Sequence, residues 1–317
     1  MKTYLVTGAA GFIGSHSVDM LLKQGYAVVG VDNLRTGNLQ NLASAHSSSN
    51  FLFVKEDVTN ETALRSLFND HNFAGVLHLA ALVSVPESFE KPDLNYHINL
   101  AASDLLARLC VAHSCQRLVF ASSAAVYGNT ATLPTPESAQ PHPLSPYAAA
   151  KLASEIMLLG YAESYSLPVV CFRYFNVYGP RQDPRSPYSG VLSIFTERFK
   201  AGVPVTVYGD GEQTRDFVSV QDVARANCHA LTADNVTIGR YNVCTNKANS
   251  LNHTLNIFRD IYPAAPPAQY AEARIGDIRH SLGDANLLKS KLGISAQIPF
   301  DQGLRALITE SIPLSVS

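Results

Sequence analysis

The sequence predicts an α/β protein built on a Rossmann-type doubly wound parallel sheet, with a smaller mixed α/β lobe beside it. Three observations carry this prediction. Apolar strand-like runs alternate with helical stretches through the first half of the 317-residue chain, which is typical of a parallel sheet covered on both faces. A glycine-rich turn joins the first strand to the first helix. Past Gly179, closely spaced prolines interrupt the alternation.

Six strands and four long helical stretches are predicted from these runs. The strands cover residues 4–7, 27–31, 51–54, 75–79, 117–121 and 169–173, and the helices lie near 12–24, 61–70, 94–113 and 145–165. The change of texture at Gly179 predicts a sheet domain over 1–179, to which some later segments return, and a smaller lobe over 180–317. Crevices between such lobes, at the carboxyl ends of the strands, are where ligands bind.

Charge and cysteine content argue against several classes of protein. The net charge is −2, with 24 basic and 26 acidic residues, so the composition does not indicate a nucleic acid or an anionic membrane as partner. The five cysteines form neither a C-x-x-C pair nor a metal-ligand spacing, and buried free thiols in a reducing cytoplasm explain them best. Neither a signal peptide nor an apolar run of membrane length is found. We therefore expect a cytoplasmic protein without a metal site.

The stretch from Lys2 to Gln24 has the fingerprint of a dinucleotide-binding turn. An apolar strand runs into Gly8-Ala9-Ala10-Gly11-Phe12-Ile13-Gly14, and an amphipathic helix follows. Glycines let the backbone turn tightly and approach a pyrophosphate, which the free N–H groups of the helix N-terminus then bind. Asp32, at the end of the second strand, suits the adenosine ribose hydroxyls and repels a 2′-phosphate. The sequence thus predicts NAD as cofactor, with NADP a minor alternative because of Arg35.

Short segments at other strand ends extend the predicted cofactor site. Asp57-Val58 is placed to accept from the adenine amino group, and the small residues after the fourth strand leave room for the dinucleotide along their backbone. Asn99 lies in the helix that follows. The residues predicted to bind NAD are Gly8, Gly11, Phe12, Ile13, Gly14, Asp32, Asn33, Arg35, Thr36, Gly37, Asp57, Val58, Leu79, Ala80, Ala81, Asn99, Tyr147, Lys151 and Tyr174.

A serine, a tyrosine and a lysine form the predicted catalytic set. The fifth strand runs into Ser123, and Tyr147 and Lys151 follow at i and i+4 of a helix, one turn apart on the same face. A free tyrosine, with a pKa of about 10, is a poor base at neutral pH. A lysine ammonium and a positively charged nicotinamide nearby would each favour the phenolate. Ser123 is expected to hydrogen-bond the substrate oxygen on which Tyr147 acts.

In combination these motifs resemble the extended short-chain dehydrogenase/reductase family. The resemblance rests on the glycine loop, on Ser123 with Tyr147 and Lys151, and on the segment RYFNVYGP at 173–180, and it covers essentially the whole chain. Within the family the chain looks like the nucleotide-sugar 4-epimerases. The resemblance implies oxidation at C4 of a UDP-sugar, with Tyr147 removing the hydroxyl proton, and return of the hydride to the other face of the 4-keto sugar.

The resemblance also implies a nucleotide-sugar site in the second lobe. The segments at 208–211, 215–217 and 274–277 are similar to those that hold the uracil and the diphosphate in these enzymes. Arginine suits the diphosphate because a guanidinium forks onto phosphate oxygens and stays charged. The residues implied in substrate binding are Ser84, Ser123, Tyr147, Asn176, Val191, Tyr208, Arg215, Arg274, Asp277 and Ser281.

Two alanines argue against relatives that catalyse other reactions. Sugar 4,6-dehydratases carry an acid and a base at the positions of Ala124 and Ala125, and nucleotide-sugar decarboxylases carry a glutamate at the position of Ala125. Alanine cannot move a proton.

Glucose/galactose-restricted epimerases resembling this chain usually have a tyrosine at the position of Ser281, and a serine leaves room for an acetamido group.

We therefore expect interconversion of UDP-N-acetylglucosamine (UDP-GlcNAc) and UDP-N-acetylgalactosamine (UDP-GalNAc), with UDP-glucose and UDP-galactose as further substrates. A UDP-glucuronate 4-epimerase is the first alternative, in which Ser84 or Arg185 would supply donors for the sugar carboxylate. The second is a non-catalytic NAD(H) or nucleotide-sugar sensor, although such sensors commonly lose the tyrosine or the lysine. The resemblance also implies a homodimer formed through the helices near 94–113 and 145–165.

Overall fold

The computed structural model describes residues 1–183, 190–273 and 278–310. The strands are β1 (Thr3–Thr7), β2 (Ala27–Asp32), β3 (Phe51–Lys55), β4 (Phe73–His78), β5 (Leu118–Ser123), β6 (Val169–Tyr174), β7 (Asn176–Tyr178), β8 (Thr206–Tyr208), β9 (Thr214–Arg215), β10 (Phe217–Ser219), β11 (Gly239–Val243), β12 (Asn249–Ser250) and β13 (Gln269–Ala271). The α-helices are α1 (Phe12–Lys23), α2 (Glu61–Asp70), α3 (Val85–Glu90), α4 (Pro92–Asn95), α5 (Ala102–Ala112), α6 (Pro146–Tyr165), α7 (Val191–Lys200), α8 (Val220–Thr232), α9 (Leu251–Ile261), α10 (Asn286–Leu292) and α11 (Phe300–Glu310).

A seven-stranded parallel sheet forms the centre of the fold, in the order β11-β6-β5-β4-β1-β2-β3. All six strands predicted from the sequence belong to it, so the predicted fold class is confirmed. β1 lies between β2 and β4, and the direction of winding reverses there. Such a switch point opens a crevice at the carboxyl ends of the strands, where the glycine loop lies.

The strands are buried on both faces because apolar residues occupy consecutive positions, and neighbouring side chains of a strand point to opposite faces. Tyr4 and Val6 pack with α1 and α8 on one face, whereas Leu5 packs on the other face with apolar residues of α2, α5 and α6. Phe120 is fully buried on that second face. Burying such a side chain contributes about 1.5–3 kcal/mol.

Two elements from the second half of the chain join the sheet. β11 pairs with β6 at its edge, and α8 packs against α1. A separate apolar cluster holds together α7, α9 and α11, with Phe199 stacked on Phe258 at 4.8 Å and Phe217 on Phe300 at 4.9 Å between ring centroids. These features accord with a second lobe from which segments return to the sheet; the boundary at residue 179 stays a prediction.

The helix expected near 94–113 is interrupted. Between α4 and α5 the backbone widens into a π-type turn over Tyr96–Ala101. Such turns occur mostly at functional sites. In the described ranges, no helix is both long and apolar enough to cross a membrane, and no three His, Cys, Asp or Glu side chains are grouped as metal ligands would be. All five cysteines lie in those ranges, and they are buried and free of disulfides.

Candidate active site

The glycine loop is packed too tightly for any side chain at two of its positions. Gly8 has a φ of +69°, and a Cβ there would lie 2.8 Å from the backbone nitrogen of Ala80. A Cβ on Gly14 would lie 2.0 Å from the Gly8 carbonyl oxygen. Gly11 is the N-cap of α1 and offers no capping side chain, so the first N–H groups of the helix remain available to a phosphate.

Asp32 is fixed at the end of β2, beside this loop. Its Oδ2 accepts from the Ala10 N–H at 3.0 Å and its Oδ1 from the Leu34 N–H at 2.8 Å. Burial raises the pKa of Asp32, and these backbone hydrogen bonds act in the opposite direction. A carboxylate with spare lone pairs next to a bare helix N-terminus fits the ribose and pyrophosphate of a dinucleotide. The chain's own donor and acceptor set is therefore suited to NAD.

The residues after β2 and β3 are joined by hydrogen bonds. Asn33 donates to Asp57 Oδ2 at 2.6 Å, and Asp57 Oδ1 also accepts from Thr59. Burial raises the pKa of Asp57, but the bonds from Thr59 and Asn33 and the charge of Arg35 outweigh it, so the pKa is lowered. Arg35 forms an ion pair with Glu87 of α3. Its guanidinium is thus partly neutralised, which weakens the case for a 2′-phosphate.

A buried hydrogen-bond chain fixes the end of β4. The Thr7 hydroxyl accepts from the N–H groups of Leu79 and Ala80, each at 3.2 Å, and lies 2.7 Å from His78 Nδ1. Burial, together with the charge of Lys151, lowers the pKa of His78 to about 3, so the imidazole is neutral. Since the threonine proton goes to Nδ1, His78 donates from Nε2 to Ser103, 3.1 Å away. Sequence analysis missed Thr7 and His78.

Asn99 supports the loop after β4. It is buried in the π-type turn, and its side chain exchanges hydrogen bonds with the backbone of Leu82 at 3.0 and 3.1 Å. It also donates to Asn95 at 2.8 Å. Both ends of the amide are therefore occupied by protein groups. Direct contact between Asn99 and NAD stays a prediction.

The structure brings the predicted catalytic residues together. Ser123 ends β5, and Tyr147 lies half-buried in the first turn of α6. Burial raises the pKa of Tyr147, and its hydrogen bond with Ser123 acts in the opposite direction. Lys151 is buried, donates to the Ala121 carbonyl at 2.9 Å and lies 4.8 Å from the Phe120 ring centroid. Burial lowers the pKa of Lys151 to about 7.

Three polar side chains fix the start of α6 and so the position of Tyr147. Ser145 is the N-cap and accepts from the Ala148 N–H at 3.1 Å. Ser88 of α3 accepts from the Tyr147 N–H at 3.2 Å, and Asn95 donates to the Pro146 carbonyl at 3.0 Å. The phenol therefore projects from a backbone that is held from both α3 and α4.

A buried ion pair lies beneath the catalytic residues, and sequence analysis missed it. Glu155 follows Lys151 by one turn of α6 and receives two bonds from Arg173 of β6, at 2.5 and 3.0 Å. Both side chains are completely buried. Ser122, the neighbour of Ser123, donates to the same carboxylate at 2.9 Å. The only sequence signal was a charged residue inside an otherwise apolar strand, VVCFRY.

Two predicted binding residues use their hydroxyls within the protein. Ser84 is buried and serves as N-cap of α3, where it accepts from the Glu87 N–H at 2.9 Å. The Tyr174 hydroxyl donates to Asn227 of α8 at 2.6 Å, and burial raises its pKa. Ligand contacts by Ser84 and Tyr174 stay predictions.

A cavity of about 200 Å³ lies in the second lobe, and four of the predicted substrate residues line it: Asn176, Val191, Tyr208 and Arg215. Sequence analysis missed other lining residues, among them Tyr178 and Gln213. The Tyr178 hydroxyl and Gln213 Oε1 are buried without a hydrogen-bond partner within the described ranges. The Tyr178 hydroxyl packs against Gly303 of α11, away from the cavity, whereas Gln213 Oε1 is left as a buried acceptor at the cavity itself, where a polar ligand can pair with it.

Ser281 lies on an extended segment next to β9. The Ser281 N–H donates to the Thr214 carbonyl at 3.1 Å, and the Thr214 N–H donates to the backbone carbonyl of Arg279 at 3.0 Å. Ser281 is half-buried and follows His280, which pairs with Thr214, and it does not line the cavity. Arg274, Asp277 and Arg185 lie outside the described residues.

Comparison with known proteins identifies the family of this architecture. Residues 4–244 match the model of the NAD dependent epimerase/dehydratase family. A UDP-glucose 4-epimerase of Mycolicibacterium smegmatis is 37% identical over 307 residues, which cover 96% of each chain. A UDP-glucuronate 4-epimerase of Thermodesulfobacterium geofontis is 32% identical, covering 98% of this chain and 96% of the relative. The solved UDP-N-acetylglucosamine 4-epimerase of Methanobrevibacter ruminantium M1, in complex with UDP-N-acetylmuramic acid, superposes with a TM-score of 0.90 at 38% identity over 97% of each chain.

Proposed function

Because the chain belongs to the NAD dependent epimerase/dehydratase family and is a UDP-sugar 4-epimerase that uses NAD, we propose that it interconverts UDP-GlcNAc and UDP-GalNAc and also accepts UDP-glucose and UDP-galactose. The observation that carries the proposal is a single proton-transferring tyrosine at the crevice. Tyr147 lies close enough to Ser123 for the serine to favour its phenolate, while Ala124 and Ala125 leave the neighbouring positions without an acid or a base. Epimerisation at C4 needs no second proton-transfer group.

Each residue of the catalytic set has a defined task. Tyr147 takes the proton of the C4 hydroxyl and returns it after the sugar has turned over, and Ser123 holds the same oxygen by a hydrogen bond. Lys151 in its charged form favours the phenolate by Coulomb attraction. NAD, held by the glycine loop and Asp32, would supply the acceptor for the C4 hydride and the donor that returns it.

The second-lobe cavity supports a nucleoside diphosphate as the anchored part of the substrate. Arg215 offers a permanently charged guanidinium, and Asn176 lies exposed at the same cavity. The unpartnered Gln213 Oε1 adds an acceptor for a polar base or ribose. Such anchoring leaves the sugar free to rotate between its two orientations.

The choice of an N-acetylated sugar depends on Ser281. Its backbone N–H donates to the carbonyl of Thr214 in β9, the residue before Arg215. Replacing it with tyrosine adds a ring to that position, so Ser281→Tyr is expected to lose turnover of UDP-GlcNAc by at least about tenfold and to retain UDP-glucose. A single misfit of this size in a pocket changes discrimination by about 1–3 kcal/mol. Ser290→Tyr, at an exposed position of α10, is the matched control. Equal losses for both substrates would contradict the cavity argument.

One assay tests the function directly. Purified protein is incubated with UDP-GlcNAc, UDP-glucose or UDP-glucuronate, and the products are separated by chromatography. UDP-GalNAc formation by the wild-type protein, reduced about 10²- to 10⁴-fold in Tyr147→Phe, is the expected result. Exclusive turnover of UDP-glucuronate would favour the alternative that one 32%-identical relative represents. No product from any of the three sugars would favour a non-catalytic sensor.

We also propose a homodimer in the cytoplasm. Tyr96, Ile156 and Tyr165, on the π-type turn and α6, are 53%, 58% and 61% exposed, and a partner subunit docked on these neighbouring helices would cover them. The free buried cysteines support a reducing compartment. Light scattering on wild-type protein and Ile156→Lys tests the interface. We expect a dimer that the charge converts to a monomer; a monomeric wild type would contradict the proposal.

A further inference from the structure

Arg35 and Glu87 lie on segments that flank the glycine loop. In the sheet, β1 sits between β2 and β4, so the glycine loop at its carboxyl end lies between the ends of those two strands. Arg35 follows β2, and Glu87 lies in the first turn of α3, which follows β4. A contact between the two side chains therefore runs from one side of the glycine loop to the other.

The two side chains form a direct ion pair. Arg35 Nη2 contacts Glu87 Oε1, and Lys91 Nζ reaches the same oxygen at 3.0 Å. The side chain of Arg35 is 34% exposed and that of Glu87 only 14%. Hydrogen bonds from Lys91 and from Arg35 lower the pKa of Glu87, so the carboxylate is charged at neutral pH.

Both ends of the pair are attached to ordered backbone. The Arg35 N–H donates to Asn33 Oδ1 at 2.9 Å, and Asn33 is itself bonded to Asp57 after β3. On the other side, Ser84 caps the N–H of Glu87, and Ser88, the residue after Glu87, accepts from the Tyr147 N–H. The ion pair thus connects the adenosine side of the predicted cofactor site with the helix that carries the catalytic tyrosine.

We propose that the Arg35–Glu87 pair closes the crevice over the bound dinucleotide and slows its release. A dinucleotide with its ribose at Asp32 and its nicotinamide near Tyr147 must cross the glycine loop, and the pair spans that crossing. The pair must open before the cofactor leaves. Slow release suits an enzyme that restores its cofactor in every turnover. The inference needs only NAD as cofactor and does not depend on which sugar is the substrate.

The test measures cofactor release without any sugar nucleotide. Protein loaded with NADH is mixed with excess NAD⁺, and the loss of NADH fluorescence gives the release rate. Glu87→Gln and Arg35→Gln are each expected to release NADH about fivefold faster. A partly exposed ion pair contributes up to ~1 kcal/mol. Because ~1.4 kcal/mol corresponds to a tenfold change, the loss of this contribution corresponds to a release rate about fivefold faster.

Two further variants separate the pair from other effects. The exchanged variant Arg35→Glu/Glu87→Arg, made in a Lys91→Gln background so that no like charge faces the exchanged guanidinium, restores the opposite charges and is expected to release NADH within about twofold of the wild-type rate. Lys91→Gln removes the partner that does not span the loop and is expected to leave the rate unchanged. Wild-type release from both single variants would overturn the proposal. So would fast release from the exchanged variant, because Arg35 would then act on the cofactor alone.

Discussion

The buried pair of Glu155 and Arg173 offers the sharpest test of how the active site is supported. Glu155→Gln keeps the side-chain volume but removes the charge that neutralises Arg173, which is completely buried. Arg240 lies 3.5 Å from the same carboxylate but is 40% exposed, so water already solvates it. Losing one partner of a buried pair costs about 3–5 kcal/mol because the other charge is left uncompensated. For a chain of this length we expect the melting temperature to fall by about 5–8 °C.

The assay compares thermal unfolding of wild-type protein, Glu155→Gln and a matched surface variant. Arg305 pairs with Asp260 at 2.7 Å, with side chains 46% and 61% exposed, so Asp260→Asn should cost less than about 1 kcal/mol. The double variant Glu155→Met/Arg173→Met replaces both charges with apolar groups and should recover much of the loss. Equal melting temperatures for Glu155→Gln and Asp260→Asn would refute the reasoning. Failure of the double variant to exceed Glu155→Gln would refute it as well.

Two further predictions concern the glycine loop and the catalytic lysine. Gly14→Ala places a Cβ 2.0 Å from the Gly8 carbonyl oxygen and should abolish NADH binding, measured by fluorescence. The control Gly160→Ala has open space around it and should stabilise the fold by about 1 kcal/mol. Normal NADH binding by Gly14→Ala would contradict the packing argument. Burial lowers the pKa of Lys151 from 10.5 to about 7, so between these values the unfolded chain binds more protons than the folded one and the stability of the ligand-free protein should rise with pH. The free energy of unfolding relative to Lys151→Met should therefore increase by up to ~1.4 kcal/mol per pH unit above pH 7, and a flat difference between pH 7 and 9 would exclude the shift.

Local spacing alone was enough to predict the sheet and the outline of the site. The glycine loop between a strand and a helix, and Asp32 at the next strand end, lie within the first βαβ unit, where neighbours in sequence are neighbours in space. Tyr147 and Lys151 share a helix face because four residues make about one turn. Parallel strands end at one edge, so Ser123 could be placed near them from sequence. The predicted strands agree with the structure for the same reason: the hydrophobic pattern of a buried strand is local.

Only the tertiary structure decided which distant side chains meet. Glu87 reaches Arg35 across 52 positions of sequence, and His78 reaches Thr7 across 71. β11 joins the sheet beside β6 from a part of the chain where the alternation had already broken down. Arg173 stands out as a charge inside an apolar strand, but no local pattern identifies Glu155 as its buried partner. Their pairing follows from the order of strands and the packing of α6, and these depend on the free energy of the whole chain rather than on any one segment.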